Sequence, residues 1–280
     1  MPRCHGVVEN RPRKLSMDER RPGAMMTTIT GYAMNDHTAT PIQRQTVCEH
    51  RLCIVLDGVT AVSLLCLPVE LNYLAAGWAF YEGYIATRED ISALSVESDR
   101  QRVTISTAAA GGVKARPVTV RAGVTGRTRQ PSHGHERLTA DHDEKPSFKI
   151  SPSTIIDLWK QLDEHDSLHT LTFGVHSSAL CSATQIEYFN ADLSRHNTIY
   201  RAIGKCILEG TNPADRLLFF SGRFSSEIIK SILAAGFPVA VSRKMSTDKA
   251  IQLADEAGLT LGMMDRALEL IIFSHRERLC

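Results

Sequence analysis

LLFFSGRFSSEIIKSILAAGFPVAVSRKMSTDKAIQLADEAGLTLGM, residues 217–263, is the stretch that decides the fold. Leu217 to Phe220 is a short apolar strand, and Ser225 to Ala235 repeats its apolar residues at helical spacing before Gly236 closes it. Val239-Ala240-Val241 is a second strand, and Thr247 to Ala257 a second helix closed by Gly258. A final strand pair is expected near Leu259 to Met263 and Leu268 to Phe273. Strand-helix-strand units of this length place parallel neighbours side by side under covering helices. Working backward, Asn197 to Leu208 carries Ile199, Ala202, Ile203, Cys206 and Ile207 on one face of a helix. Ile186 to Phe189 and Leu171 to Val175 are expected strands, and Ser153 is expected to cap a helix through Leu162. Residues 151–280 therefore read as a layered α/β domain, whose ligand site belongs at strand ends and helix N-termini.

Residues 46–126 read as a smaller α+β module. Arg51 to Leu56 and Val59 to Leu65 flank Asp57-Gly58, the signature of a hairpin turn. Pro68 introduces a helix carrying Leu71, Leu74, Ala75 and Trp78, and Gly83 ends it. Val103 to Ser106 and Val118 to Val120 add short β segments. Residues 1–45 show neither a strand nor a helix period and are expected to be a disordered leader. Residues 127–150 form a polar linker; His133, His135 and His142 lack the cysteine or carboxylate partners of a zinc site, and no zinc is expected.

With 32 Lys and Arg against 31 Asp and Glu, the net charge of +1 gives no field that would favour nucleic acid or an anionic membrane. No apolar run reaches the roughly 18 residues of a membrane span. The 7 cysteines are odd in number and contain no Cys-x-x-Cys pair, which fits free thiols in a reducing cytoplasm. Cys66, Cys181 and Cys206 sit among apolar neighbours and are expected in the core.

Six segments together resemble one family. Leu67-Pro68-Val69-Glu70-Leu71 with Ala76 to Ile85, Thr172-Phe173-Gly174-Val175-His176, Asp192-Leu193-Ser194-Arg195-His196-Asn197, Ser221-Gly222-Arg223-Phe224-Ser225-Ser226-Glu227, and Leu259 through Ser274 follow in the family's order, with Ala122-Gly123-Val124-Thr125-Gly126 between them. They are similar to the formate dehydrogenase accessory family of sulfur carriers. The resemblance implies a cytidine-deaminase-like core and a homodimer. It also implies persulfide received from a cysteine desulfurase, and sulfuration of the bis-molybdopterin guanine dinucleotide cofactor for a formate dehydrogenase-type molybdoenzyme. In the family the last-named loop reads Cys-Gly-x-Cys-Gly; here Ala122 and Thr125 stand at the two cysteine positions. An alkyl group has no nucleophile and a hydroxyl cannot carry a persulfide, so direct relay at this loop is chemically excluded.

The cofactor segment carried over by resemblance is Met264, Asp265, Arg266, Ala267, Leu268 and Glu269, where Arg266 could grip a phosphate and Glu269 would repel one. The same residues also read as a plain hairpin turn. Arg195, His196 and Arg223 follow strands and precede helices, where they can form an anion cradle, and His176 is a further candidate. Alternatively Arg195 pairs with Asp192 and Asn197 caps its helix. Zinc deamination lacks its His-x-Glu and Cys-x-x-Cys, since Ser177-Ser178 follow His176. Two readings result: a sulfurtransferase-like accessory protein of molybdenum-cofactor delivery, or a non-catalytic homologue that binds a GDP-like nucleotide or a protein partner.

Overall fold

The computed structural model describes residues 25–97, 99, 101–108, 119–120 and 148–280. The expected loop at 122–126, the linker histidines and residues 1–24 lie outside the described residues. Among the described residues the architecture is mixed α and β, in three sheets.

The largest sheet is built from β8 (His176–Cys181), β9 (Ile186–Asp192), β10 (Leu217–Phe220), β11 (Val239–Ser242), β12 (Thr260–Met264) and β13 (Leu270–Ser274), in the order β13-β12-β11-β10-β8-β9. Strands β10, β11 and β12 are parallel, as the helical crossovers between them require. The outer pairings are antiparallel. Only Ser182 to Gln185 joins β8 to β9, too short a link for a parallel crossover.

Both faces of this sheet are covered, which explains the unbroken apolar run in β10. Leu218, Phe220, Ala240 and Leu261 meet α4 (Arg195–Glu209), α5 (Ser226–Ala235) and α6 (Asp248–Glu256) on one face. Leu217, Phe219, Val239 and Val241 meet Ile155, Leu158 and Trp159 of α2 (Pro152–His165) on the other. Ser151, not Ser153, caps α2: its hydroxyl accepts from the Thr154 amide at 3.1 Å, ahead of Pro152 in the first turn. The strand expected at Leu171 to Val175 is instead the end of a short helix, α3 (Ser167–Thr172), and β8 starts only at His176. The hydroxyls of Thr170 and Thr172 donate back to the carbonyls of Asp166 and Leu168, at 3.1 and 2.7 Å, so residues with strand propensity are held in a helical turn.

A second sheet comprises β3 (His50–Leu56), β4 (Val59–Cys66), β5 (Ile91–Glu97), β6 (Arg102–Thr107) and β7 (Thr119–Val120). Asp57 and Gly58 both have positive φ, 47° and 81°, the backbone of a tight hairpin turn. Helix α1 (Leu71–Tyr81) lays Leu74 and Trp78 over Leu52, Ile54, Val62 and Val103. It then packs against α4 at Gly77 and Gly204, joining the two sheets.

Strands β1 (Met26–Met34) and β2 (Ala39–Val47) form a third, two-stranded sheet where a disordered leader was expected. Most of their residues are exposed on both faces, so the sequence carries no alternation of apolar and polar residues to announce them.

At the carboxyl end, His275 accepts a left-handed backbone, φ 48°, and both its ring nitrogens meet acceptors: Glu277 Oε1 at 2.7 Å and the Asp255 carbonyl at 2.7 Å. Burial favours the neutral ring, but the Asp255 carbonyl and the Glu277 carboxylate outweigh it and raise the pKa. A raised folded pKa gives stability that is present below the unfolded value, about 6.5, and is lost as pH climbs through the folded one. His275→Asn should therefore lower the Tm at pH 6 and have a much smaller effect at pH 8.5; an equal loss at both values contradicts this assignment.

Candidate functional site

The direction of the strands gathers the candidate residues at one edge of the large sheet. Strands β10, β11 and β12 end there, β9 ends there, and β8 begins there, with His176 opposite Asp192 and Ser178 opposite Phe220. Helices α4, α5 and α6 start from the same edge, immediately after β9, β10 and β11. His176, Arg195, His196, Arg223 and the 264–269 turn all belong to this edge, where helix N-termini favour anions.

A cleft of about 320 Å³ opens there, lined by Asp166, His169, Phe173, Gly174, Val175, His176, Leu193, Ser221, Arg243 and Lys244. Of the residues expected from sequence, His176 is in its wall. Burial, then the positive charge of Arg195, then His169, lower the His176 pKa, so its imidazole is neutral at pH 7. His169 places Nδ1 3.0 Å from the Val175 carbonyl, so that nitrogen donates to it and the ring is held in the cleft wall. The Ser177 hydroxyl donates to Asp166 Oδ2 at 2.8 Å, while the buried Oδ1 has no hydrogen-bond partner. Ser221 ties β10 to β8: its hydroxyl accepts from the Ser177 amide at 2.8 Å and its amide donates to the Ser177 carbonyl at 2.9 Å. Arg243 lies 5.4 Å from the Trp159 ring centroid and pairs with Asp163, which fixes the guanidinium beside exposed Lys244. Phe173, 80% exposed and left-handed at φ 53°, stands at the rim.

The remaining candidates are near this edge but outside the cleft wall. Arg195 does not pair with Asp192; the fully buried Arg201 does, at 2.7 Å, its guanidinium reaching the carboxylate from the inner face of α4. Asn197 does not cap its helix. Its amide donates instead to the Leu65 carbonyl and Asp192 Oδ1, both at 2.8 Å. His196 sits 4.0 Å from Glu227, across the starts of α4 and α5, and Arg223 is exposed. In the 264–269 segment Met264 is buried in the core, so its side chain faces no ligand. Asp265 closes a hairpin turn, its Oδ1 accepting from the Ala267 and Glu269 amides at 2.8 Å each, with Leu268 at φ 62°. Arg266, Ala267, Leu268 and Glu269 are exposed on that turn.

Sequence reasoning missed Asp166, His169, Phe173, Ser221, Arg243 and Lys244 as wall residues. Arg243-Lys244 carried a usable signal, two cations between a strand and a helix in the position that singled out Arg223. Asp166 and His169 carried none, because they precede the expected strand at Leu171 to Val175 and no helix was expected there.

Three core thiols are poor sulfur nucleophiles. Burial, followed by the Asp192 charge, pushes Cys66 up to about 12, and burial pushes Cys206 up to about 12. Cys181 is driven higher still, again by burial first and then by Glu187. At pH 8 a thiol reagent should label exposed Cys280 within minutes and Cys66, Cys181 and Cys206 only after unfolding. Rapid labelling of Cys181 in the folded protein would contradict this geometry. Among the described residues no cluster of His, Cys, Asp or Glu is placed to hold a metal ion.

A family model described as the FdhD/NarQ family matches residues 47–280. The chain belongs to the FdhD/NarQ family. Similar proteins include the sulfur carrier protein FdhD of Bacillus subtilis (strain 168), 27% identical over 240 residues that cover 85% of this chain and 91% of that protein. The sulfur carrier protein FdhD of Geobacillus kaustophilus is 28% identical over 234 residues, 82% of this chain and 88% of the relative. A crystal structure from Desulfotalea psychrophila, described as that of a formate dehydrogenase accessory protein, superposes with a TM-score of 0.75 at 18% identity, over 92% of this chain and all of the other. That likeness supports the FdhD/NarQ fold. The family match starts at Val47, the last residue of β2, so nearly all of the β1–β2 ribbon lies ahead of it.

Proposed function

We propose that this FdhD/NarQ protein is a formate dehydrogenase accessory protein that holds one guanine nucleotide arm of the molybdenum cofactor at the strand-end cleft, and that it does not relay persulfide through residues 122–126. The observation carrying the first half is the cleft itself, a concave site between strand ends that sets Arg243 and Lys244 beside hydroxyl and imidazole groups. That donor set fits a diphosphate, because guanidinium and ammonium groups match phosphate oxygens. At about 320 Å³ the cleft is near the lower end of ligand-pocket sizes, which suits one nucleotide arm and not the two-armed cofactor whole. When bound, the cofactor supplies the molybdenum centre; the chain's own residues hold its phosphates and shield the arm from water.

The second half rests on chemistry. Ala122 and Thr125 cannot bear a persulfide, and Cys66, Cys181 and Cys206 are buried with raised pKa values. The relatives are named sulfur carriers. In this chain the partner of that role is a formate dehydrogenase-type molybdoenzyme, in a reducing cytoplasm, with a cysteine desulfurase having no thiol to charge at the loop. Incubation with a desulfurase and labelled cysteine should leave no sulfur on Cys181 or Cys206; retained label there overturns this half.

Calorimetry with GDP tests the first half. Lys244→Ala should weaken binding about tenfold, the 1.4 kcal/mol scale of one charge-assisted hydrogen bond. Arg266→Ala, on the turn outside the cleft wall, should change it less than about twofold on the weak scale of exposed charges. No heat and no thermal shift at millimolar GDP would sink the cofactor reading.

A further inference from the structure

Phe173 stands where the fold gains nothing from a phenyl ring. It ends α3 in the left-handed region, φ 53° and ψ 15°, at the C-terminal position that glycine or asparagine fills with little strain. The cap itself is made by backbone and by Thr172. The Phe173 amide donates to the His169 carbonyl at 2.7 Å, and the Gly174 amide donates to Thr172 Oγ1 at 3.2 Å. Neither bond needs the ring. Among the described residues the ring joins no core cluster, and it is 80% exposed, yet it lines the cleft. Its aromatic neighbour is His169, whose ring lies 5.7 Å away between centroids, inclined at 69°, and is itself pinned by its bond to the Val175 carbonyl. A bulky side chain held on a left-handed backbone at a concave site is the kind of strain that ligand clamps carry.

Strand order sets the distance from this ring to the cations. Arg243, Ser221 and Ser177 follow one another across the sheet edge: the Arg243 amide donates to the Phe220 carbonyl and the Ser221 amide to that of Ser177, both at 2.9 Å. Strand β10 lies between β11 and β8, so Arg243 and Lys244 stand two strand spacings, about 10 Å, from the start of β8, into which Phe173 leads. An extended nucleoside diphosphate covers a comparable span from its base to its terminal phosphate.

We propose that Phe173 is the stacking platform for the base of the nucleotide arm, which divides the cleft into an aromatic end for a planar ring and a cationic end for the diphosphate. The assignment rests on the cleft reading above and adds to it a residue and a direction, with the base beside β8 and the phosphates beside β11. The fixed cap presents the ring already oriented, which lowers the ordering cost of binding. Every base has a π face, so Phe173 selects for a planar ring and does not separate guanine from other bases.

GDP calorimetry on the full chain, run beside thermal melts, tests the assignment. Phe173→Gly should bind GDP about tenfold more weakly, the scale of one stacked base. Its Tm should not fall, because glycine accepts the left-handed backbone without strain. Phe173→Tyr keeps an aromatic face and should bind within about twofold of wild type. Leu171→Ala, on the same helix, exposed and outside the cleft wall, should leave the affinity unchanged. Wild-type affinity in Phe173→Gly, with Lys244→Ala still weakened, overturns the stacking role, leaves the cofactor reading in place and turns the exposed ring over to a protein contact. Absence of GDP binding by the wild type removes both readings together. Weak binding accompanied by a lower Tm, or no recovery in Phe173→Tyr, makes the ring a structural prop and overturns the assignment equally.

Discussion

Arg201→Met is expected to cost about 3–5 kcal/mol, the scale for removing one partner of a buried ion pair, and to lower the Tm by roughly 10 °C or more at this chain length. Arg201 and Asp192 are both fully buried and 2.7 Å apart. The pair also holds the short segment that leaves β4. Asp192 Oδ2 accepts the Leu67 amide at 3.1 Å, and Arg201 donates to the Leu67 carbonyl at 2.9 Å and the Ala191 carbonyl at 2.8 Å. Methionine would fill the space and leave a buried carboxylate facing unpaired carbonyls. Replacing both charges, with Arg201→Met and Asp192→Leu together, is often neutral for an isolated buried pair. Here it should recover only part of the loss, because the Leu67, Ser194 and Asn197 donors are then stranded at about 1–3 kcal/mol for each group left unsatisfied. A urea titration of the two variants checks this. A double variant as stable as wild type would show that the pair does not organise the Leu67 backbone.

Gly77→Ala should be at least as damaging, by a different route. In an exposed helix interior the change would stabilise by about 1 kcal/mol through propensity. At this position the added Cβ would lie 1.8 Å from the Tyr200 carbonyl oxygen, and at Gly204 it would lie 1.9 Å from that of Tyr73. Both obstacles are helix backbone, which cannot rotate away. Helices α1 and α4 would have to part by more than an ångström, loosening the contact through which Tyr200 joins the core of the smaller sheet. Overpacking of this kind costs 1–3 kcal/mol in side-chain cores, and about 3 kcal/mol or more is expected against backbone. Soluble yield and the urea midpoint of Gly77→Ala are the readouts; a midpoint equal to or above wild type would mean that the helices separate freely.

Local chemistry made much of this fold legible. Asp57-Gly58 announced its hairpin because both positions need positive φ. The alternation from Leu217 to Met264 announced the parallel strands because each helix between them is long enough to cross over and is closed by a glycine or a cap. What failed were segments whose conformation is set by partners distant in sequence. Leu171 to Val175 has strand composition, yet threonine hydroxyls and the Asp166 turn hold its first two residues in α3. Residues 26–47 have no one-sided pattern, since the ribbon is exposed on both faces. The alternative pairing of Arg195 with Asp192 failed because it rested on sequence proximity, and Arg201, further along the helix, holds that carboxylate. Helical geometry points Arg201 inward.

The sequence by itself determined the family and its chemical limit. Short motifs in order are a one-dimensional property, and a loop reading Ala122-Gly123-Val124-Thr125-Gly126 has no thiol to carry a persulfide whatever its surroundings. Only the tertiary structure decided where a ligand could sit and which side chains face it. Strand direction brings His176, Ser221, Arg243 and Lys244 to one cleft from separate segments, and a hairpin turn keeps Arg266 outside its wall. Convergence of this kind depends on register and crossover, which follow from packing both faces of a sheet and not from any single stretch of residues.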